Sequence, residues 1–135
     1  MQKTVAIACL VFFCASALAG SANSAVKADL VGNGAVATVT LLQSHHAVTV
    51  TVHPARRHAA AQELTFGVNA SRQDAVCGLP ASIKVVPLSC GAEAVSLPGC
   101  VQSKGAQAVV LSGGDCDPIY IYWDHAAKRL SWWRN

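Results

Sequence analysis

The chain has 135 residues, 53% of them hydrophobic, and a formal net charge of +3 with histidine neutral. This length suits one domain with a sizeable core. The excess of positive charge is too small for the continuous basic stripe that nucleic-acid binding requires, so we expect no nucleic-acid partner.

The first residues have the pattern of a cleaved signal peptide. Lys3 gives a positive start, and Val5 to Leu18 is an apolar run that falls short of the about 20 residues of a spanning helix. Ala17-Leu18-Ala19 is a small-x-small cleavage site, and Asn23-Ser24-Ala25 is a second candidate. We therefore expect residues 1–19 to be removed, with cleavage as late as residue 25 as the alternative. The protein should then be exported, periplasmic or secreted, and free of a membrane anchor.

Residues 20–135 would then form a single domain with four cysteines, because Cys9 and Cys14 leave with the signal segment. An even number in an exported chain is typical of two disulfides. A zinc site is not indicated, because the spacing of these cysteines contains no C-x-x-C knuckle. All three pairings are open, and sequential pairing has only a small advantage in loop entropy. That pairing would join Cys77 to Cys90 and Cys100 to Cys116.

The first half of the chain predicts an antiparallel hairpin. Ala35 to Leu42 is rich in β-branched residues, and His46 to His53 alternates with a period of two. The alternation places Val48, Val50 and Val52 inward, and it puts His46 on the same face, at the end of the sheet. Ser21 to Asp29 is small and polar and predicts an irregular start.

Further short apolar runs, separated by turn residues, are strand candidates. They are Glu63–Val68, Ile83–Leu88, Ala94–Leu97 and Ala106–Leu111, with Pro87 placing the second of them at a sheet edge. Ala55 to Gln62 is too short for a helix to be favoured over a turn or a loop. With the C-terminal runs, the pattern predicts an all-β antiparallel sandwich or small barrel of about seven or eight short strands.

Two clusters of polar residues suggest chemistry but lack complete sets of ligands. His53-Pro-Ala-Arg-Arg-His58 brings two imidazoles close together, yet its arginines would repel a cation, so we interpret it as a solvated basic turn. Asp115 and Asp117 flank Cys116 without the six or more oxygens that calcium requires, and they are interpreted as turn-forming residues. No metal is therefore expected.

Catalytic and nucleotide-binding motifs are missing from the sequence. It contains no G-x-S-x-G elbow, G-x-G-x-x-G loop or P-loop, and paired cysteines offer no free thiol. We therefore predict a protein that is not an enzyme and needs no cofactor.

All three tryptophans and both tyrosines lie within the last twenty residues. Ile119 to Trp123 and Arg129 to Arg134 are β-prone, and the polar segment between them predicts a closing hairpin. Ile119, Ile121 and Trp123 share one face of the first strand, and Leu130 and Trp132 share one face of the second; we expect these faces to enter the core. The opposite face should then expose three aromatic rings beside two cations, namely Tyr120, Tyr122, Trp133, Lys128 and Arg129.

Exposed tyrosine, tryptophan and arginine are the preferred composition of interface hot spots. We therefore expect a binding protein that recognises a protein partner, an inhibitor of a secreted or periplasmic hydrolase being one such function. The alternative is a carbohydrate- or peptidoglycan-binding module whose rings stack on cell-wall sugars. Burial of both hairpin faces is equally compatible with the pattern, because aromatic residues also dominate small cores.

Overall fold

A computed structural model describes residues 24–91 and 96–135. The predicted signal segment lies outside these residues, and so do residues 94 and 95 of the strand candidate Ala94–Leu97. Within the described ranges the fold is all-β and contains no helix. The strands are β1 (Ser24–Ala28), β2 (Ala37–Gln43), β3 (Ala47–His53), β4 (Gln62–Val68), β5 (Ala75–Val76), β6 (Ser82–Pro87), β7 (Gln107–Ser112), β8 (Ile119–Asp124) and β9 (Arg129–Trp133).

The strands form two sheets. The first sheet has the order β1-β2-β3-β4-β5, and the second has the order β6-β7-β8-β9. All neighbours are antiparallel except β4 and β5, which are parallel. The predicted antiparallel all-β architecture is confirmed in this form, as a sandwich-like pair of sheets with nine strands in the described part of the chain.

The main core lies between the two sheets and follows from the alternation of apolar residues along the strands. Val48 and Val50 of β3 are fully buried, and Val52 is 6% exposed, so the inward valines of the predicted hairpin are confirmed. The second sheet contributes the same periodicity from β7 and β8. The main core includes Val39, Leu41, Val48, Val50, Phe66, Ile83, Val109, Leu111, Ile119, Ile121 and Leu130.

The start of the described chain differs from the sequence-based expectation. Residues 24–28 form β1, which pairs with β2 through Val26 opposite Val39. Ala28 is fully buried, whereas Lys27 is exposed. The irregular start predicted for Ser21–Asp29 is therefore wrong for these residues, because a ready partner strand and two inward apolar side chains outweigh the polar composition.

The edge position predicted for the strand with Pro87 is confirmed. β6 lies at one edge of the second sheet, and among the described strands it pairs only with β7. Pro87 ends the strand opposite Gln107, and Lys84 is exposed on it. A proline and an exposed lysine are common on edge strands, since both discourage pairing with another chain.

The disulfides in the described residues are Cys77–Cys116 and Cys90–Cys100, one of the pairings that the spacing left open and not the sequential one that loop entropy slightly favoured. The reason is the fold around Gly113, whose carbonyl oxygen accepts a hydrogen bond from the Cys77 nitrogen at 2.9 Å. This contact places the segment after β5 against the β7–β8 connection that carries Cys116. The backbones are so close there that a Cβ on Gly114, where φ is 72°, would lie 2.8 Å from the Gly78 nitrogen.

Candidate functional site

The C-terminal hairpin, β8 and β9, has one face in the main core, as the alternation predicts. Ile119 and Ile121 have no exposed surface, and Leu130 is 5% exposed. Trp123 and Trp132 point to the same side but are only partly buried, and both pack against the main core. Trp132 meets the ring of Phe66 from the first sheet edge-on, with the ring centroids 5.7 Å apart. The hairpin thereby links the two sheets.

Tyr122 is not exposed, contrary to the sequence-based expectation. It is on the predicted outer face of β8, yet only 1% of its surface is accessible. Its hydroxyl donates a hydrogen bond to the carbonyl oxygen of Pro98 at 2.9 Å. The connection between β6 and β7 therefore covers this part of the outer face and removes Tyr122 from the surface that a partner could contact.

This covering connection forms a second, smaller apolar cluster, the outer cluster. Leu88 and Ala106 bring the two ends of the connection together, and the Leu88 nitrogen donates to the Ala106 carbonyl at 2.9 Å. The Cys90–Cys100 disulfide closes the loop. The outer cluster comprises Leu88, Ala106, Ala108 and Tyr122, with Val86, Cys90, Leu97, Cys100 and Trp133 partly buried against it.

Tyr120 and Trp133 form a stacked pair on the outer face of the second sheet. They are directly opposite in the β8–β9 register, and their ring centroids are 4.4 Å apart with an angle of 12° between the planes. Both side chains are partly exposed. Stacking favours this position of each ring, so the pair is a defined aromatic surface element beside the outer cluster.

The two predicted cations lie at the opposite end of the hairpin from this pair. Lys128 occupies the left-handed region with φ of 54° and closes the turn, and Arg129 follows as the first residue of β9. The Asp124 carboxylate accepts hydrogen bonds from the backbone of Ala126 and Ala127 at 2.9 and 2.8 Å. Lys128 and Arg129 are both exposed, and Arg129 lies about 13 Å along β9 from Trp133 at the usual rise per residue.

The outer face of β9 therefore presents a continuous strip. Arg129, Ser131 and Trp133 alternate onto this face, and Tyr120 adjoins it from β8. Arg129 is exposed and the other three are partly exposed. The structure brings Tyr120, Trp133 and Arg129 of the predicted set onto one face, with Lys128 at the turn, and it buries Tyr122.

The histidines and the loop carboxylates form no site in the described residues. No group of three or more His, Cys, Asp or Glu side chains is close enough there to hold a metal ion. His46 is exposed in the turn before β3, so its predicted place among the valines is wrong. The strand begins one residue later, at Ala47, because the Ser44 hydroxyl accepts a hydrogen bond from the Ala47 nitrogen at 3.1 Å and closes the turn.

A cleft beside the inner face of the C-terminal hairpin was not predicted from the sequence. Three separate segments line it: the β1–β2 connection, the β3–β4 connection and the pair of Trp123 and Leu130. The two hairpin residues are opposite each other in the register. A single signal in the sequence pointed to this region, the basic segment His53–His58, which supplies Arg56 to the rim.

Comparisons with known proteins identify no relative. No protein-family model matches the chain, and neither the search of curated proteins nor the search of solved structures returned a match. In the described part of the chain, no helix has the length and apolar character needed to cross a membrane. The two disulfides fit an oxidising environment.

Proposed function

We propose that this chain is an exported binding protein that recognises a protein partner through the outer face of its C-terminal hairpin. The observation that carries the proposal is the stacked Tyr120–Trp133 pair, which continues along β9 to the exposed Arg129. Tyrosine, tryptophan and arginine supply most hot spots of protein interfaces. The apolar N-terminal run and the two disulfides support export to the periplasm or the medium.

The fixed geometry of the pair favours tight recognition. Each ring is held by the other, and Trp133 also packs against the outer cluster. Side chains that are ordered before binding lose little rotamer freedom in the complex. The exposed Lys128 and Arg129 add positive charge at the turn, which speeds association with an acidic partner. An acidic surface of a secreted or periplasmic hydrolase would suit this strip, and the proposal gives the protein itself no catalytic role.

The ring geometry favours a protein partner over cell-wall carbohydrate. A sugar ring stacks on a free aromatic face, but Tyr120 and Trp133 each cover one face of the other at 4.4 Å. Tyr122, the third ring of the platform expected from the sequence, is buried beneath Pro98. The pair therefore leaves at most one face of each ring for a sugar, and it lies on a mixed surface with Ser131 and Arg129, as in protein interfaces.

The test is capture of a partner from periplasmic extract and culture medium by the immobilised mature protein. Three variants are compared with it: Trp133→Ser, Arg129→Glu and Leu42→Ser. Leu42 is the matched control, since it is a large apolar side chain that is 59% exposed on the first sheet. Arg129 is exposed at the start of β9, so Arg129→Glu should leave the fold intact. Loss of binding in this variant could then not be attributed to unfolding.

A partner retained by the wild type and Leu42→Ser, and lost with both hairpin variants, is the expected result. The partner is then identified by mass spectrometry, and its affinity is measured by calorimetry. A parallel assay sediments the protein with purified peptidoglycan. Trp133-dependent sedimentation without a protein partner would establish the carbohydrate alternative instead. Partner binding that is unchanged in both hairpin variants would show that this surface is not the binding site.

A further inference from the structure

The cleft beside the inner face of the C-terminal hairpin has the size and the lining of a small-molecule site. It encloses about 410 Å³, within the range of about 300–1,000 Å³ that is usual for ligand pockets. Apolar side chains of the main core, Val52, Trp123 and Leu130, reach its floor. Small residues, among them Ala55, Ala59 and Ala60, line the side formed by the β3–β4 connection.

Arg56 is the one charged residue among those that line the cleft in the described structure. It is exposed on the β3–β4 connection, next to the exposed Arg57 and His58. The salt bridge found in the described ranges joins Arg72 to Asp74, so Arg56 has no acidic partner there. An unpaired guanidinium at the mouth of an apolar cleft is complementary to an anion that carries an apolar group.

The carboxylate of Asp29, in the connection that forms one wall of the cleft, is bonded within its own loop. Asp29 begins the β1–β2 connection and is 9% exposed. Its two carboxylate oxygens accept hydrogen bonds from the backbone nitrogens of Gly32 at 2.8 Å and Gly34 at 2.7 Å, with a longer bond from Asn33 at 3.3 Å. These bonds shape the loop that forms one wall of the cleft. Asp29 itself does not line the cleft, so Arg56 is the charged side chain that a ligand there would meet.

A second donor faces the same region. Gln62 lines the cleft at the start of β4, and its Oε1 accepts a hydrogen bond from the Leu130 nitrogen at 2.8 Å. That bond orients the side-chain amide and assigns its Nε2 group as a donor with no partner in the described residues. Gln62 and Arg56 therefore both have N–H groups that a ligand could accept from.

We propose that this cleft binds a small apolar monocarboxylate. The hydrocarbon or aromatic part packs against Trp123 and Leu130, and the carboxylate is held at the mouth by Arg56 with help from Gln62. The site is separate from the outer face of the hairpin, because Trp123 and Leu130 belong to the inner face. It therefore does not depend on the proposed protein partner.

The probe is octanoate below its micelle-forming concentration, with octanol as the uncharged control of equal chain length. Binding is followed by tryptophan fluorescence and by backbone amide shifts in two-dimensional NMR. The expected result is saturable octanoate binding that shifts residues of the β1–β2 and β3–β4 connections, with octanol binding at least tenfold more weakly. One charge-assisted hydrogen bond accounts for a difference of that size.

Two pairs of variants make the test specific. Arg56→Gln should weaken octanoate about tenfold and leave octanol unchanged, whereas Arg57→Gln, the neighbour that does not line the cleft, should change neither. Ala60→Phe should block both ligands by filling the cleft from an exposed position, with an unchanged urea midpoint as evidence of folding. Absence of saturable octanoate binding, equal affinity for both probes in the wild type, or shifts centred away from the cleft would overturn the proposal.

Discussion

The Tyr122 hydroxyl and the Pro98 carbonyl oxygen are joined by a hydrogen bond of 2.9 Å. This bond fastens the connection between β6 and β7 to the outer face of the hairpin. It explains why a tyrosine can occupy a position that is 1% exposed, since its polar atom is satisfied there. The bond therefore satisfies the hydroxyl of the tyrosine that the connection covers, whereas Tyr120 remains partly exposed.

Tyr122→Phe should lower the free energy of unfolding by about 1 kcal/mol, because it removes one part-buried hydrogen bond and leaves the packing unchanged. Tyr120→Phe is the matched control, since the Tyr120 hydroxyl has no hydrogen-bond partner in the described residues. Its effect should stay within about 0.5 kcal/mol. Urea denaturation of both variants measures the difference, and equal effects would contradict the role of the Pro98 contact.

Trp132→Ala should destabilise the fold more than Trp133→Ala does. Trp132 packs against the main core and against Phe66 of the other sheet, so its loss should cost about 3 kcal/mol, the low end for a core aromatic because it is only partly buried. Trp133 contacts the outer cluster and Tyr120, and its loss should cost about 1–2 kcal/mol. Thermal and urea unfolding measure the loss of stability in each variant. A larger loss for Trp133→Ala than for Trp132→Ala would contradict the prediction.

The two disulfides should differ in their contributions to stability. In the chain-entropy model, the Cys77–Cys116 bridge, with a separation of 39 residues, contributes about 4 kcal/mol, and Cys90–Cys100, with a separation of 10, contributes about 3 kcal/mol. Replacing each pair by alanine and measuring urea unfolding tests the order. Peptide mapping without reduction should recover Cys77 linked to Cys116, and no thiol of the mature domain should react before reduction; a Cys77–Cys90 peptide would refute the pairing.

The pKa of the Asp74 carboxyl should lie below its usual range, because Arg72 donates a hydrogen bond to it and carries the opposite charge. The pKa of Arg72 is raised by the same contact, so the guanidinium stays charged throughout an acid titration. A carboxyl pKa that is lower in the folded state stabilises the fold above the unfolded pKa. This contribution is lost as the pH falls through the folded pKa.

Carbon-detected NMR titration of Asp74 in the wild type and in Arg72→Gln measures this effect. The variant should return the Asp74 pKa toward the ordinary value. The side chains of Arg72 and Asp74 are 62% and 49% exposed. Added salt should therefore reduce the difference in the Asp74 pKa between the wild type and Arg72→Gln. An Asp74 pKa that does not respond to the Arg72 substitution would show that the ion pair is not formed in solution.

Strands with a regular alternation could be predicted from the sequence, and so could the side to which their residues point. The valines of β3 and the isoleucines of β8 are examples, because a period of two and a partner strand determine which face is apolar. β1 and β5 were missed, since short strands at or near a sheet edge owe their structure to neighbours rather than to their own composition.

The covering of the outer face could not be predicted in the same way. Alternation places Tyr120 and Tyr122 on one face, but it contains no information on which of them a distant loop will cover. The burial of Tyr122 depends on Pro98, which is 24 residues away, and on a disulfide whose pairing the spacing left open. The cleft could not be predicted from the sequence for a similar reason, since its walls come from three segments that meet only in the folded chain.

The disulfides are nested, because Cys90 and Cys100 both lie between Cys77 and Cys116 in the chain. In the proposed export from the N-terminus, Cys77 would reach the oxidising side first and Cys90 second, so an oxidase that joins cysteines in order of arrival would produce the wrong pair. The native pairing then requires either that Cys77 waits until the last cysteine has been translocated or that a thiol attacks the early bond and exchanges it. Production of this protein should therefore depend on a disulfide isomerase, and not on an oxidase alone.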